Sequence, residues 1–269
     1  MRAYFIPVAG KSDGYERFRA TDSTISVWSA DMQHGSPPSA LLARSLERCS
    51  PRAGTRLGRI TTEILGPVPV ADIEVRARVE RPGSRVEMLS AELRAVRPDG
   101  SDRTVARATA WRIATSDTTS AVHDADLPLE PGPNDCESGW SFADDWHGGY
   151  LDSLEIRGAS SPEKPRGAGR AWARPLVPLV DGEEPTALTR LMSVADIANG
   201  VGARLPVSDW TFLNTELTVH VFREPLGEWV GVQSETSIGP DGIGMCAGVV
   251  YDRIGPVGRT SQILEIRAR

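Results

Sequence analysis

Asp196 is the residue whose surroundings ask for chemistry. It lies in TALTRLMSVADIANGVG (186–202), where Leu188, Leu191, Met192, Val194, Ala195, Ile197 and Ala198 spread round almost the whole circumference of a 3.6-residue helix. A helix apolar on nearly every side normally lies inside the protein. A carboxylate there costs several kcal/mol unless something pairs with it or uses it. Two readings stand side by side: Asp196 holds a neighbouring loop or helix end, or it takes a proton. Asn199-Gly200 reads as a helix stop, so the spacing predicts one helix over 186–200.

A second constellation is His34-Gly35-Ser36, followed by Pro37-Pro38. Prolines suit the first turn of a helix, and Ala40, Leu41, Leu42 and Leu46 carry that helix on to about Cys49. His34 reads as a capping or loop-fixing group before it reads as a base. The four histidines and the three widely spaced cysteines, Cys49, Cys136 and Cys246, lack metal-ligand spacing, so no metal and no cofactor are expected. No P-loop occurs, which argues against nucleotide-hydrolase chemistry.

These residues are framed by strand-like segments. Short ones are expected at 3–8, 13–20 and 25–28. Four longer ones, 55–66, 71–81, 85–97 and 103–114, are separated by Pro/Gly turn signals. Alternation is clear in Ile73, Val75, Ala77 and Val79, giving one buried and one wet face. Residues 116–138 are polar, acidic and Pro/Gly-rich without periodicity, and read as an interdomain linker. Beyond it come strands at 150–157 and 169–176, the helix of Asp196, and strands at 210–223, 228–238, 243–253 and 258–268.

The second half thus repeats the order of the first. Ile60-Thr61-Thr62-Glu63 corresponds to Leu213-Asn214-Thr215-Glu216, and the repeat spans about 150 residues. An α+β chain is expected, with an N-terminal half at 1–115, the linker at 116–138 and a C-terminal half at 139–269. Two such sheets placed edge to edge would remove two exposed strand edges, and outer faces left uncovered point to a homo-oligomer.

Composition narrows the partners. The 269 residues carry a net charge of −6 and a pI near 5.4, unlike a general nucleic-acid binder, which is usually basic. No apolar run reaches the length of a membrane span, and the N-terminal stretch turns polar too soon for a secretory signal. Few cysteines, odd in number, fit a reducing cytoplasm.

Three stretches carry a family resemblance over nearly the whole chain outside the linker. MQHGSPPSALLARSLE resembles the Gly-rich entry to the first hot-dog helix, and SVADIANG the second helix with its catalytic aspartate. LNTELTVHVFREPLGEWV followed by GPVGRTSQILEI is similar to a thioesterase strand with a Thr and a terminal strand with a Gln. The chain resembles the double hot-dog acyl-CoA thioesterases of the TesB-like group. The resemblance implies a duplicated hot-dog fold, two antiparallel sheets each wrapping one long helix. It also implies hydrolysis of acyl-CoA by a water held between Asp196, Thr215 (or Asn214) and Gln262. His34, Gly35, Ser36, Asn199 and Asn214 are the expected substrate-binding residues. Backbone N–H groups around Gly35 and Ser36, at a helix start, would meet the oxyanion. Ser36 stands where the family has a second glycine, and Glu216 where related chains usually show Asp. A double hot-dog that binds acyl-CoA or a partner protein with little hydrolysis is the alternative. A hydratase or dehydratase pairing of Asp and His is disfavoured, because no His follows Asp196 within ten residues.

Overall fold

The computed structural model of the chain describes residues 3–96, 102–136, 148–159 and 168–269. Alternating apolar and polar residues generate β1 (Phe5–Ser12), β2 (Tyr15–Ala20), β3 (Thr55–Ile64), β4 (Asp72–Arg81), β5 (Val86–Val96) and β6 (Asp102–Ala114) in the first half. The second half supplies β7 (Leu154–Gly158), β8 (Ala168–Pro175), β9 (Trp210–Asn214), β10 (Glu216–Val221), β11 (Val230–Ile238), β12 (Ile243–Tyr251) and β13 (Pro256–Ala268). Among the described residues these thirteen strands form one sheet, ordered β1-β2-β4-β5-β6-β3-β10-β13-β12-β11-β8-β7, with β9 paired to β13. Read outward from β3 and from β10, the two halves run through their strands in corresponding order. The two sheets expected to lie edge to edge are joined there into one continuous sheet.

The joint is the antiparallel pairing of β3 with β10, in which Glu63 stands opposite Glu216 and Thr61 opposite Thr218. The two glutamates that correspond in the sequence repeat face each other there. Each strand thereby covers what would have been the other's open edge.

Helix α1 (Ser36–Arg48) packs on β3 to β6, and α3 (Ala187–Ala195) packs on α1, β8 and β11. Two short α-helices, α2 (Gly149–Asp152) and α4 (Ala198–Val201), are also formed. Leu41, Leu42 and Leu46 of α1 and Leu191 and Met192 of α3 are fully buried in one core with Ile60, Ile73, Leu89 and Leu93 from the sheet. Each such side chain contributes about 1.5–3 kcal/mol of burial. The N-terminus reaches across to the second half, where the Tyr4 and Phe5 N–H groups donate to the Pro178 and Leu179 carbonyls at 3.1 and 3.0 Å.

Four local expectations are corrected. The single helix over 186–200 is broken at Asp196-Ile197 into α3 and α4. The strand over 210–223 is interrupted at Thr215. The piece at 25–28 reduces to a bridge between Ile25 and Gln33. The strand at 150–157 begins only at Leu154, because Gly148 and Gly149, at φ +88° and +55°, lead into a helical turn pressed against Ile25. The stretch read as linker is mostly exposed from 116 to 128 and packs on the second half around Leu129. Leu129 is buried with Trp172, Trp229 and Tyr251, and the Trp172 indole donates to the Pro131 carbonyl at 2.9 Å. Its last residues, 137 and 138, lie outside the described residues, as does 139, where the second half was expected to begin.

Candidate active site

Asp196 caps the C-terminus of α3 in helical backbone geometry (φ −72°, ψ −13°), and the chain turns there before α4. The residue is 5% exposed. Its Oδ1 accepts two amide N–H groups, from Asn214 Nδ2 and Gln262 Nε2, both at 2.8 Å. Hydrogen bonds to a charged acceptor contribute about 1.5–3 kcal/mol each, enough to offset much of the burial cost. Gln262 Nε2 also lies 3.3 Å from the Asp196 carbonyl, tying the helix end to β13.

The two amides are aimed by an irregularity in the sheet. Asn214 is opposite Leu264, yet Thr218 is opposite Ser261, so β9–β10 carries one extra residue between those points. An extra residue bends a strand and re-aims its side chains. Asn214 Nδ2 reaches the Glu216 carbonyl at 3.2 Å, a local bond that competes with the ladder. The Ile263 N–H donates instead to Glu216 Oε1 at 2.9 Å. Burial raises the Glu216 pKa, the Thr218 hydroxyl and the Ile263 N–H oppose this, and the Glu63 and Asp196 charges add to the rise.

The other face of Asp196 meets the first half. Oδ2 lies 3.3 Å from His34 Nδ1, and a Cβ on Gly35 would come within 2.5 Å of Oδ2. Gly35 is thus required by close approach, since its backbone (φ −66°, ψ −25°) is open to any residue. The Ser36 N–H donates to His34 Nδ1 at 3.1 Å. That nitrogen cannot accept from Ser36 and donate to Asp196 at once. Burial lowers the His34 pKa, with the Asp196 charge opposing, so the ring is neutral and its proton is assigned to Nε2. The ring stacks on Tyr150 at 4.1 Å, and the Tyr150 hydroxyl donates to the Ser193 carbonyl at 2.7 Å. Asp196 Oδ2 is left facing a lone pair and a glycine.

His34, Gly35, Asp196 and Asn214 border a cleft of about 260 Å³ whose walls include Trp28, Met32, Ile64, Val68 and Leu151. The geometry brings together Asp196, Gln262, Asn214, His34 and Gly35. Thr215 also lines the cleft but makes no hydrogen bond to Asp196; the neighbouring amide of Asn214 occupies that position. Asn199 borders the cleft with its Nδ2 on the Phe212 carbonyl at 3.0 Å, holding β9. Ser36 is buried and its N–H is taken by His34, so it is not available to an oxyanion. Pro37 and Pro38 have no N–H at all. The Gly35 N–H is the donor at this helix start that no hydrogen bond among the described residues occupies. Tyr150 was missed as a supporting residue; the Gly148-Gly149 pair ahead of it was the available signal for a turn there. Cys246 faces Gln262 in register, but burial pushes its thiol up to about 11, which disfavours a thiolate nucleophile. Among the described residues no group of three or more His, Cys, Asp or Glu converges as a metal site, and no helix is long and apolar enough to cross a membrane.

Comparison with known proteins fits this picture. Residues 24–113 match the family described as acyl-CoA thioesterase N-terminal domain, and residues 133–265 its C-terminal domain. No curated protein matches the sequence. Among solved structures, a conserved protein of unknown function with the hot-dog fold from Alicyclobacillus acidocaldarius is 16% identical with a TM-score of 0.75, covering 97% of this chain and 96% of that chain. The tesB protein of Mycobacterium avium subs paratuberculosis is 13% identical with a TM-score of 0.70, covering 96% and 95%. An acyl-CoA thioesterase II from Mycobacterium marinum is 10% identical with a TM-score of 0.66, covering 97% and 94%. At such identities the structures establish an α+β hot-dog fold and nothing finer. The two family matches, in tandem and in order, establish more: this chain belongs to the acyl-CoA thioesterase family and carries both its N-terminal and C-terminal domains.

Proposed function

We propose that the chain hydrolyses acyl-CoA with Asp196 as general base. The observation that carries this reading is the asymmetry of the carboxylate, with Oδ1 held by two amides and Oδ2 without a donor. Oδ2 takes a proton from water as the water oxygen attacks the thioester carbonyl carbon. The Gly35 N–H receives the developing oxyanion. The C–S bond then breaks, and the proton on Asp196 passes to the CoA sulfur, leaving free acid and thiol. Asn214 and Gln262 hold the base in position, so Asn214 takes the part first given to Thr215, which stays at the wall of the cleft with Asn199. His34 and Ser36 fix the loop that presents Gly35. The halves 1–115 and 139–269, joined by 116–138, form a duplicated unit in this reading, each contributing one side of the site.

Release of free CoA from acyl-CoAs of several lengths tests it. Asp196→Asn keeps the size of the side chain and cannot take a proton, so turnover falls about 10²–10⁴-fold. Near-normal turnover with a lowered thermal midpoint overturns the reading and makes Asp196 a structural acceptor.

One observation favours a second chemistry. The Asp–His pairing absent from the local sequence exists in space, with His34 3.3 Å from Asp196. Hydration of a 2-enoyl-CoA, followed by loss of the enoyl absorbance, decides for that reading if it outpaces thioester cleavage. The chain is further proposed to work in the cytoplasm as a homo-oligomer; a single monomeric species in sedimentation removes the oligomer.

A further inference from the structure

The cleft lining contains Asp196 and Glu265 but no lysine or arginine. Coenzyme A carries several phosphate charges, and the chain itself has a net charge of −6. The nucleotide end of the substrate must therefore be met at the rim, by a cation whose charge is not already used. Three arginines stand there. Arg267 is paired with Glu265. Arg269 lies over the Trp28 ring, 5.7 Å from its centroid. Arg103, exposed on β6, lies against Gly66 of the cleft wall, where a Cβ would come within 2.8 Å of its Nη2. Among the described residues Arg103 has no carboxylate partner. Gly66 is the residue that lets the guanidinium rest at the mouth, because any side chain there would occupy the same space.

We propose that Arg103 is the phosphate-binding group of this cleft, taking the nucleotide phosphates of coenzyme A through its planar fork of N–H donors. The proposal rests on the acyl-CoA reading and adds the direction of the substrate: thioester toward Asp196, nucleotide toward the outer end of β3 and β6.

The test compares acyl-CoA with the matching acyl-pantetheine, which has the same thioester and arm without phosphate. Arg103→Gln raises KM for acyl-CoA about tenfold, the loss of one hydrogen bond to a charged group, and leaves kcat and the acyl-pantetheine KM unchanged. Gly66→Ala, which displaces the flexible guanidinium, shifts acyl-CoA KM in the same sense. Added salt weakens acyl-CoA binding by the wild type and has less effect on Arg103→Gln. Calorimetric titration with free CoA and with pantetheine reads the same contact without turnover. Equal effects on both ligands, or none on CoA, overturn the proposal, as does failure of the wild type to bind CoA. If neither thioester is cleaved, the hydrolytic reading falls, while the CoA titration still decides the role of Arg103.

Discussion

At the scale of single residues the site turns on what Gly35 leaves out. A methyl group there meets the Asp196 carboxylate at 2.5 Å, so Gly35→Ala must move that carboxylate while leaving the sheet and helices unchanged. Misplacing a catalytic group by an ångström can cost about 100-fold. The expected outcome is a fall in kcat of that order with a thermal midpoint close to the parent; unchanged kcat removes the close-approach argument. His34 yields a prediction in pH. Burial lowers its pKa below the usual 6.5, against the pull of Asp196, so the folded state disfavours the charged ring. Its contribution to stability is complete above 6.5 and is lost as pH falls below 6.5 toward the lowered value. His34→Gln flattens that part of the midpoint-against-pH curve, and an unaltered curve shows that another group titrates. Asp196, Gln262 and Gly35 were legible in the sequence because an acid on an apolar helix, an amide on a last strand and a glycine before two prolines are each locally odd. The sequence left Thr215 and Asn214 both open, and the choice between them was not legible, since it depends on one extra residue in a strand pairing.

At the scale of elements, the strands of the first half follow their alternation closely, with β3 to β6 starting and ending within two residues of the expected limits. The Asp196 helix is different. Apolar residues on both sides of Asp196 keep a helical period through the break, so periodicity cannot reveal that α3 stops and α4 starts at another angle. What holds α4 is close packing. The Ser234 hydroxyl donates to the Ala198 carbonyl at 2.7 Å, and a Cβ on Gly169 of β8 would meet the Val201 carbonyl at 1.8 Å. Gly169→Ala therefore forces β8 and α4 apart at a cost of about 1–3 kcal/mol. Asn199 on α4 holds the Phe212 carbonyl, so β9 and Asn214 move with it. The midpoint falls by several degrees and kcat falls in step; a stable variant with normal kcat shows that α4 does not position the amide.

At the scale of the whole molecule, a buried arginine links the halves. Arg44 on α1 forms a two-pronged pair with Glu183, ahead of α3, at 2.7 Å for each prong, and reaches Glu16 of β2 at 2.5 Å. Arg44 holds the Glu183 carboxyl below its ordinary 4.5. That contribution is complete above 4.5 and is lost as pH falls through the lowered folded value. Glu183→Gln costs about 1–2 kcal/mol at neutral pH, allowing for partial solvent screening, and softens the acid limb of unfolding. An acid limb identical to the parent assigns the link elsewhere. The order of strands repeated about Glu63 and Glu216 was visible in ITTE and LNTE. The packing of Leu129 on Trp172 was not, because a polar, proline-rich composition hides one well-placed leucine.

The seam between β3 and β10 makes the covalent connection between the halves dispensable once folding is complete. Val122 and Leu127, 75% and 85% exposed, offer a protease its approach in the connecting stretch. Cutting there leaves the seam, the α1–α3 packing and the Tyr4–Pro178 bond intact. The nicked protein therefore migrates as one particle under native conditions and as two fragments in detergent, with its turnover retained. Produced separately, each fragment presents a bare strand edge and collects on itself; produced together, each finds the other's edge, and only the mixed pair places Gly35 against Asp196.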